Sequence, residues 1–407
     1  MKKNLIPLAV LGFAGIALTS CGGVSNAKKP LIFFNRQPSD TTTGEIDMTT
    51  MNFNDSTYYV GFDAAAGGTV QGKMITDYLK TRTIAQLDRN GDGKIGYVLC
   101  VGDEGHNDSK ARTLGIRTAL GTVNSSKSTA AGASNTVEGS ATVKDGTLKV
   151  VELDSKAMSG TDGSTWNANA AGAAFTTWIT KYGTQIDMLV SNNDGMAMGC
   201  VSADHTVTDV IPVFGYDANS DTLAQIKAGK FTGTVSQNVD AQAAGTLQMV
   251  RNLCDGLTGA DVYTKGFSTA DQYGNKITAS MGYTASTKAV LAANAPVTST
   301  NIDSYYNATS TPRDSGIKQI TASGDTGKSL KVFLSLYNGA DNFLSSSYKP
   351  ALNYYAPLMN IDLHIVEGDG QSEDSITKSM TNLGNYDAYA INMVKTSSGS
   401  LYTNKLK

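Results

Sequence analysis

Short apolar runs recur along the chain at 31–34, 95–101, 188–190, 211–214, 330–336 and 389–394. Between them, 68–84, 109–120, 168–182, 240–255 and 372–383 carry apolar residues at helical spacing. Continuous apolar strands alternating with amphipathic helices predict parallel sheets covered on both faces, which is the α/β class. Residues 141–151 break the rhythm: they alternate around Asp145-Gly146 and predict a β-hairpin. The Ser/Ala/Gly-rich stretch 124–140 predicts a loose excursion, and the Ser/Thr-rich stretch 295–327 a linker. The end of that linker reads Gly-Lys-Ser, but position 322, where a phosphate loop needs its first glycine, is alanine.

The length of 407 residues fits two or three domains. A 40% hydrophobic share is too high for a disordered chain, and a formal net charge of −3 excludes a strongly basic nucleic-acid binder.

The first residues read as an export signal. Lys2 and Lys3 precede an apolar stretch over 5–18, shorter than the ~20 residues a bilayer span requires. Leu18-Thr19-Ser20-Cys21 resembles the lipobox of bacterial lipoproteins, which implies that 1–20 are removed and that Cys21 carries the lipid, palmitate included. Two lysines leave with that segment, so the mature charge is −5. The remaining Cys100, Cys200 and Cys254 are odd in number, form no CxxC pair and sit among apolar neighbours, so they read as buried small hydrophobes rather than as a disulfide framework.

Ligands of open α/β sheets bind beyond the carboxyl ends of strands, and polar residues gather there. Asn35-Arg36, then His106, Asp108 and Arg112, then Asn192-Asn193-Asp194, then Asp217, then Asp341 with Phe343 each follow an apolar run. Any one of them is most simply an N-cap. Five strand ends carrying amides, carboxylates, Arg and His suit a polyhydroxylated ligand, because each sugar hydroxyl donates once and accepts twice. Phe343 and Trp166 are candidates for the apolar sugar faces. Enzyme signatures are weaker. GxSxG and HExxH are absent, and only three histidines occur. A glycosidase carboxylate pair stays open, since it needs only two acids ~5–9.5 Å apart. Asp88-Arg89-Asn90-Gly91-Asp92-Gly93 matches the start of an EF-hand calcium loop, with Lys94 offering its carbonyl, but position 99 is Leu where the bidentate acid belongs.

Several segments resemble the galactose/glucose-binding proteins of bacterial ABC transport, in the periplasmic binding protein superfamily. They are FFNRQPS at 33–39, YYVG at 58–61, GDEGHNDSKAR at 102–112, NNDGMAMG at 192–199 and PVFGYD at 212–217, in the family's order. KVFLSLYNGADNF at 331–343 resembles that family's first strand and ligand loop, and AYAINMV at 388–394 the strand that should precede Leu31. The resemblance therefore implies a circular permutation, with 295–329 as the new join.

The family fold implied is two Rossmann-like lobes with parallel sheets, joined by a three-strand hinge. Lobe one would comprise 31–62, 239–281 and 330–407, and lobe two 63–238 and 282–294. The implied sugar ligands are Asn35, His106, Asp108, Arg112, Asn193, Asp217 and Asp341, with Phe343 and Trp166 stacking. Gln237 stands where the family has Asn. A calcium site would use Asp88, Asn90, Asp92, the Lys94 carbonyl and Asp187. Here Gly96 lacks a side-chain oxygen, and Asp187 is one methylene shorter than the family's Glu. No other cofactor is implied. The expected protein is a lipid-anchored, extracytoplasmic monomer that captures D-glucose or D-galactose, glucose favoured, for an ABC permease. A sugar sensor docking on a chemoreceptor and a carbohydrate-active enzyme remain alternatives.

Overall fold

The computed structural model describes residues 26–40, 43–124, 128–267, 281–306, 328–370, 372–380 and 383–407. The expected signal segment 1–20, Cys21 and most of the expected linker lie outside them. No helix among the described residues is long and apolar enough to cross a membrane.

Fourteen strands among these residues make two sheets. They are β1 (Leu31–Phe34), β2 (Thr57–Phe62), β3 (Lys94–Val101), β4 (Gly139–Val143), β5 (Gly146–Ala157), β6 (Met188–Ser191), β7 (Val213–Phe214), β8 (Gly233–Ser236), β9 (Met281–Thr284), β10 (Ala289–Ala292), β11 (Ala295–Thr298), β12 (Leu330–Leu336), β13 (Ile361–Glu367) and β14 (Ala388–Ile391). Sheet one runs β13-β12-β14-β1-β2-β10-β9 and sheet two β11-β8-β7-β6-β3-β5-β4. All pairings are parallel except β9 on β10, β11 on β8 and the β4–β5 hairpin.

The helices that matter to the site are α1 (Ala64–Lys80), α2 (Asn107–Leu120), α3 (Ala168–Tyr182), α4 (Asp194–Ala203), α5 (Val239–Cys254) and α6 (Lys349–Leu358). Alternation along β3 sends Tyr97, Leu99 and Val101 to one face of sheet two and Val98 and Cys100 to the other, into two separate apolar clusters. Helices α1 and α2 pack together in one layer of this lobe, and α3 and α4 in another. Glycine sets the first of those contacts: a Cβ at Gly68 would lie 2.2 Å from the Ala111 carbonyl oxygen, and one at Gly115 2.3 Å from Gly68. Only bare backbone lets the two helices approach that closely.

Two expected boundaries are corrected. Residues 282–292 belong to sheet one, not lobe two, because β10 pairs with β2 and β9 with β10. Residues 295–298 are not linker. They form β11 on the edge of sheet two, where Val297 is buried in the lobe-two core together with Ile302. Ala-Pro-Val-Thr is an edge strand antiparallel to β8, a position that tolerates Pro296. The chain therefore passes between the lobes at Asp63, at Gln237-Asn238 and at 293–294, and returns to sheet one between 306 and 328.

Candidate functional site

The carboxyl ends of β1, β3, β5, β6, β7, β8 and β12 turn toward one interlobe cavity. All ten residues singled out from the sequence line it: Asn35, His106, Asp108, Arg112, Trp166, Asn193, Asp217, Gln237, Asp341 and Phe343. Arg36, Tyr337 and Leu344 complete the wall. The inner space is about 50 Å³ and adjoins a groove of about 960 Å³ between the lobes, sharing with it His106, Trp166, Asn193, Tyr337, Asp341 and Phe343.

Two of these residues are indeed N-caps. Asn193 Oδ1 caps α4 by accepting from Met196 N at 2.9 Å, and His106 Nδ1 accepts from Asp108 N at 3.2 Å at the head of α2. Capping and lining are compatible, because a cap sits where a strand end meets a helix. Helix α2 then carries Arg112 into the cleft. Its Nη1 donates to Asn192 O at 2.8 Å, and the guanidinium lies over the Tyr216 ring at 3.6 Å. Asp217 and Asp108 flank it at 3.7 and 3.8 Å.

A relay of amides crosses from lobe one to lobe two. Asn392 Nδ2 donates to Asn35 Oδ1 (3.2 Å), Asn35 Nδ2 to Gln237 Oε1 (3.1 Å) and Gln237 Nε2 to Asp217 Oδ1 (2.7 Å). On the lobe-one wall Arg36 donates to Val394 O at 2.6 Å and stacks on Tyr337 at 3.5 Å, and the Tyr337 hydroxyl donates to Asp341. Asn35, Trp166 and Asp217 hold positive φ angles of 59°, 58° and 120°. Left-handed backbone costs such residues energy and gathers where the surrounding structure over-determines a functional geometry.

The electrostatics are those of a closed polar box. Burial pushes the Asp217 carboxyl up to about 7, against the Arg112 guanidinium and with Asp341 adding to the rise. Burial also raises Asp108, opposed by Arg112 and Arg36. His106 is pushed well below its ordinary value by burial and by Arg36 and Arg112, so it is neutral near pH 7. Three buried polar atoms at this wall have no protein hydrogen-bond partner: His106 Nε2, Arg112 Nε and Trp166 Nε1. Buried polar groups left unpaired are costly, so this set constitutes a demand for a ligand or water.

Tyr337 and Asn392 were not among the sequence candidates, and Arg36 was noted as a polar residue after β1 without being assigned to the ligand. Tyr337 is the first residue after β12, so the strand-end rule would have reached it. Asn392 supports Asn35 from beneath; it is the first residue after β14, but the apolar run 389–394 read from the sequence swallowed it.

The acidic loop at 88–92 lies at the other end of β3. Asp88 accepts from Asp92 N at 3.0 Å and Gly93 N at 2.8 Å, Asp92 from Lys94 N at 3.0 Å, and Asn90 turns its amide nitrogen to Asp92 at 3.1 Å. Asp187 does reach the loop, accepting from Arg89 N at 3.2 Å and Gly96 N at 2.9 Å. Burial lifts its carboxyl to about 6, with Asp88 and Asp92 adding. No group of three His, Cys, Asp or Glu side chains able to hold a metal converges among the described residues. The oxygens expected to bind calcium accept backbone N–H groups in Asx-turn fashion.

The D-galactose/methyl-galactoside binding periplasmic protein MglB of Haemophilus influenzae is 27% identical over 263 residues, 64% of this chain and 68% of that protein. A xylitol-binding protein of Mycolicibacterium smegmatis is 34% identical over 106 residues, 26% of this chain and 28% of its own length. Among solved structures, an ABC transporter periplasmic solute binding protein from Actinobacillus succinogenes with bound D-allose is 16% identical, with a TM-score of 0.42 over 68% of this chain and 72% of that one. A solute binding protein from Bacillus halodurans with bound myo-inositol is 19% identical, with a TM-score of 0.42 over 68% of each chain. A periplasmic binding protein domain matches residues 23–258, and a second domain of that description matches 329–399. With more than half of its length inside the first of those matches, the chain belongs to the periplasmic binding protein family.

Proposed function

We propose that this protein captures a hexose, D-glucose or D-galactose, between its lobes and hands it to an ABC permease. The observation that carries the reading is the one wall on which acceptors, donors and two rings converge from both lobes, with His106 Nε2, Arg112 Nε and Trp166 Nε1 unpartnered. Asp217, Asp108 and Asp341 would accept sugar hydroxyls, Arg112 would donate, and Asn35, Asn193 and Gln237 would do both. Trp166 from lobe two and Phe343 from lobe one suit the two apolar faces of a pyranose. The Haemophilus influenzae relative, a D-galactose/methyl-galactoside binding protein, supports a hexose.

The mechanism is hinge motion about the crossings at Asp63, Gln237-Asn238 and 293–294. An inner space of about 50 Å³ holds only a few waters, whereas the groove outside it is about 960 Å³. Sugar enters the wide part, the lobes and side chains rearrange around it, and the closed form is what the permease recognises. Micromolar binding requires about 8 kcal/mol. This is binding without turnover.

The circular permutation belongs to the same proposal. Read from β12 through β14 and on into β1 and β2, sheet one has the doubly wound order 2-1-3-4-5, the order sheet two follows directly along the chain. Anchoring through lipid on Cys21 completes it. Labelled palmitate should enter the wild type and not Cys21→Ala.

Titration calorimetry against D-glucose, D-galactose and a pentose tests the central reading. The expected result is a 1:1 isotherm with micromolar Kd for one hexose. Absence of heat with every monosaccharide, or steady release of phenol from an aryl glycoside, overturns it.

A further inference from the structure

Two of the three described cysteines are in contact. Cys100 Sγ, on β3, lies 3.6 Å from Cys200 Sγ, on α4, and both residues are wholly buried. Cys254, in lobe one, has no such neighbour; its thiol faces the Asp387 carbonyl at 3.8 Å. The odd count of thiols thus resolves into a pair and a single residue.

We propose that Cys100 and Cys200 form a disulfide that staples β3 to α4 beneath the cleft. Closing from contact to a bond of ~2.05 Å needs each sulfur to swing inward by about 0.8 Å. The weak bond from Cys200 Sγ to Ala171 O at 3.4 Å is given up. Two S–H bonds are lost and one S–S bond forms. The two electrons and two protons pass to a disulfide oxidant, glutathione disulfide or the active-site disulfide of an oxidoreductase, which leaves as two thiols. A periplasmic binding protein works outside the cytoplasm, where such bonds persist.

The position gives the bond consequences. Cys100 O accepts from Asn192 N at 2.9 Å, and Asn193 is the N-cap of the helix that carries Cys200. The staple therefore ties α4, whose N-terminus presents Asn193 to the cavity, to the strand whose Cys100 carbonyl holds Asn192. It closes a loop of about 100 residues, long enough to restrict the unfolded chain strongly. Burial holds the Cys200 thiol well above its ordinary value, so in the folded state it stays protonated and does not attack a disulfide. The bond forms while lobe two folds, before the sulfurs are covered.

The test is refolding of the full chain from denaturant in glutathione buffer, blocking of free thiols with iodoacetamide in guanidinium, and tryptic mapping without reduction. Cleavage after Lys94, Lys110, Lys181 and Lys227 releases 95–110 with Cys100 and 182–227 with Cys200. The expected result is these two peptides linked, with Cys254 alkylated. Separate, alkylated 95–110 and 182–227 overturn the proposal. In a second measurement the oxidised form should melt ~5–15 °C above the reduced form. The Cys100→Ala/Cys200→Ala protein should show no effect of reductant on its melting. A linked form that melts no higher than the reduced one overturns the claim that the native packing accommodates the bond.

Discussion

The two lobes share one architecture written in two ways. In lobe two the parallel strands lie in the order β5-β3-β6-β7-β8, which is 2-1-3-4-5 along the chain without interruption. In lobe one the same order, β13-β12-β14-β1-β2, appears only when β14 is followed by β1, strands from opposite ends of the sequence that pair Leu31 with Tyr389. A doubly wound sheet is built from local right-handed crossovers and does not depend on where the chain starts. The lobes also differ in how they hold their buried charge. In lobe two Arg117 forms a wholly buried pair with Glu152 at 2.6 Å, and Tyr97 and Ser155 join it. In lobe one Arg251 pairs with Asp255 at 2.6 Å and donates to Lys328 O at 2.8 Å, tying the stretch that leads into β12 to helix α5.

The comparison can be broken most sharply at those arginines. Arg117→Leu leaves Glu152 buried without its partner, and about 3–5 kcal/mol of lobe-two stability should be lost. Hydrogen exchange should rise on β3 and β5 while β12 and β14 stay protected. Equal loss of protection in both sheets would mean that the lobes fold as one unit.

Next in size is the cleft. Asp217→Ala in lobe two and Asp341→Ala in lobe one each remove an acceptor and leave buried partners unpaired, at about 1–3 kcal/mol. Hexose affinity by calorimetry should fall roughly 10–100-fold in both. An unchanged Kd for one of them would assign sugar recognition to the other lobe alone.

A smaller effect should follow pH. The Asp217 carboxyl sits at about 7, above its ordinary 3.8, so between those values the folded state binds the extra proton. Its contribution to the unliganded protein is thus full below about pH 4 and lost as pH rises toward about 7. Sugar hydroxyls donating to the carboxylate favour the ionised form, so affinity should rise from pH 6 to pH 8, by less than about tenfold. Asp217→Asn should flatten both trends. Urea titrations and calorimetry at the two pH values decide it.

The smallest expected changes probe the seam and the loop. Rejoining the chain so that 329–407 precedes 26 should leave hexose Kd within about threefold, because the β14–β1 pairing is kept. Chelator should move Tm by less than ~2 °C, since the oxygens of Asp88, Asp92 and Asp187 already serve backbone N–H groups. A larger shift would show that the 88–92 loop takes up calcium.

Much of this was legible in local patterns. Apolar runs marked β1, β3, β6 and β12 to within a residue or two, the Asp145-Gly146 turn marked the β4–β5 hairpin, and the strand-end rule reached Asn35, Arg36, His106, Asp108, Arg112, Asn193, Asp217, Asp341 and Phe343 of one cavity wall, while Gln237 came only from the family resemblance. Those features depend on neighbours in sequence: alternation, turn chemistry, and the side chain that follows a strand. What local patterns could not convey was pairing. Residues 281–298 carry weak apolar runs, and only contact with β2 and β8 assigns them to different sheets. The left-handed backbone of Asn35 and Asp217, the support Asn392 gives Asn35 and the meeting of Cys100 with Cys200 likewise arise from residues tens to hundreds of positions apart. The sequence by itself determined which segments become strands and helices and which chemistry stands at their ends. The tertiary structure alone decided which sheet each weak strand joins and which buried groups stay unpartnered, because both depend on what distant chain brings into contact.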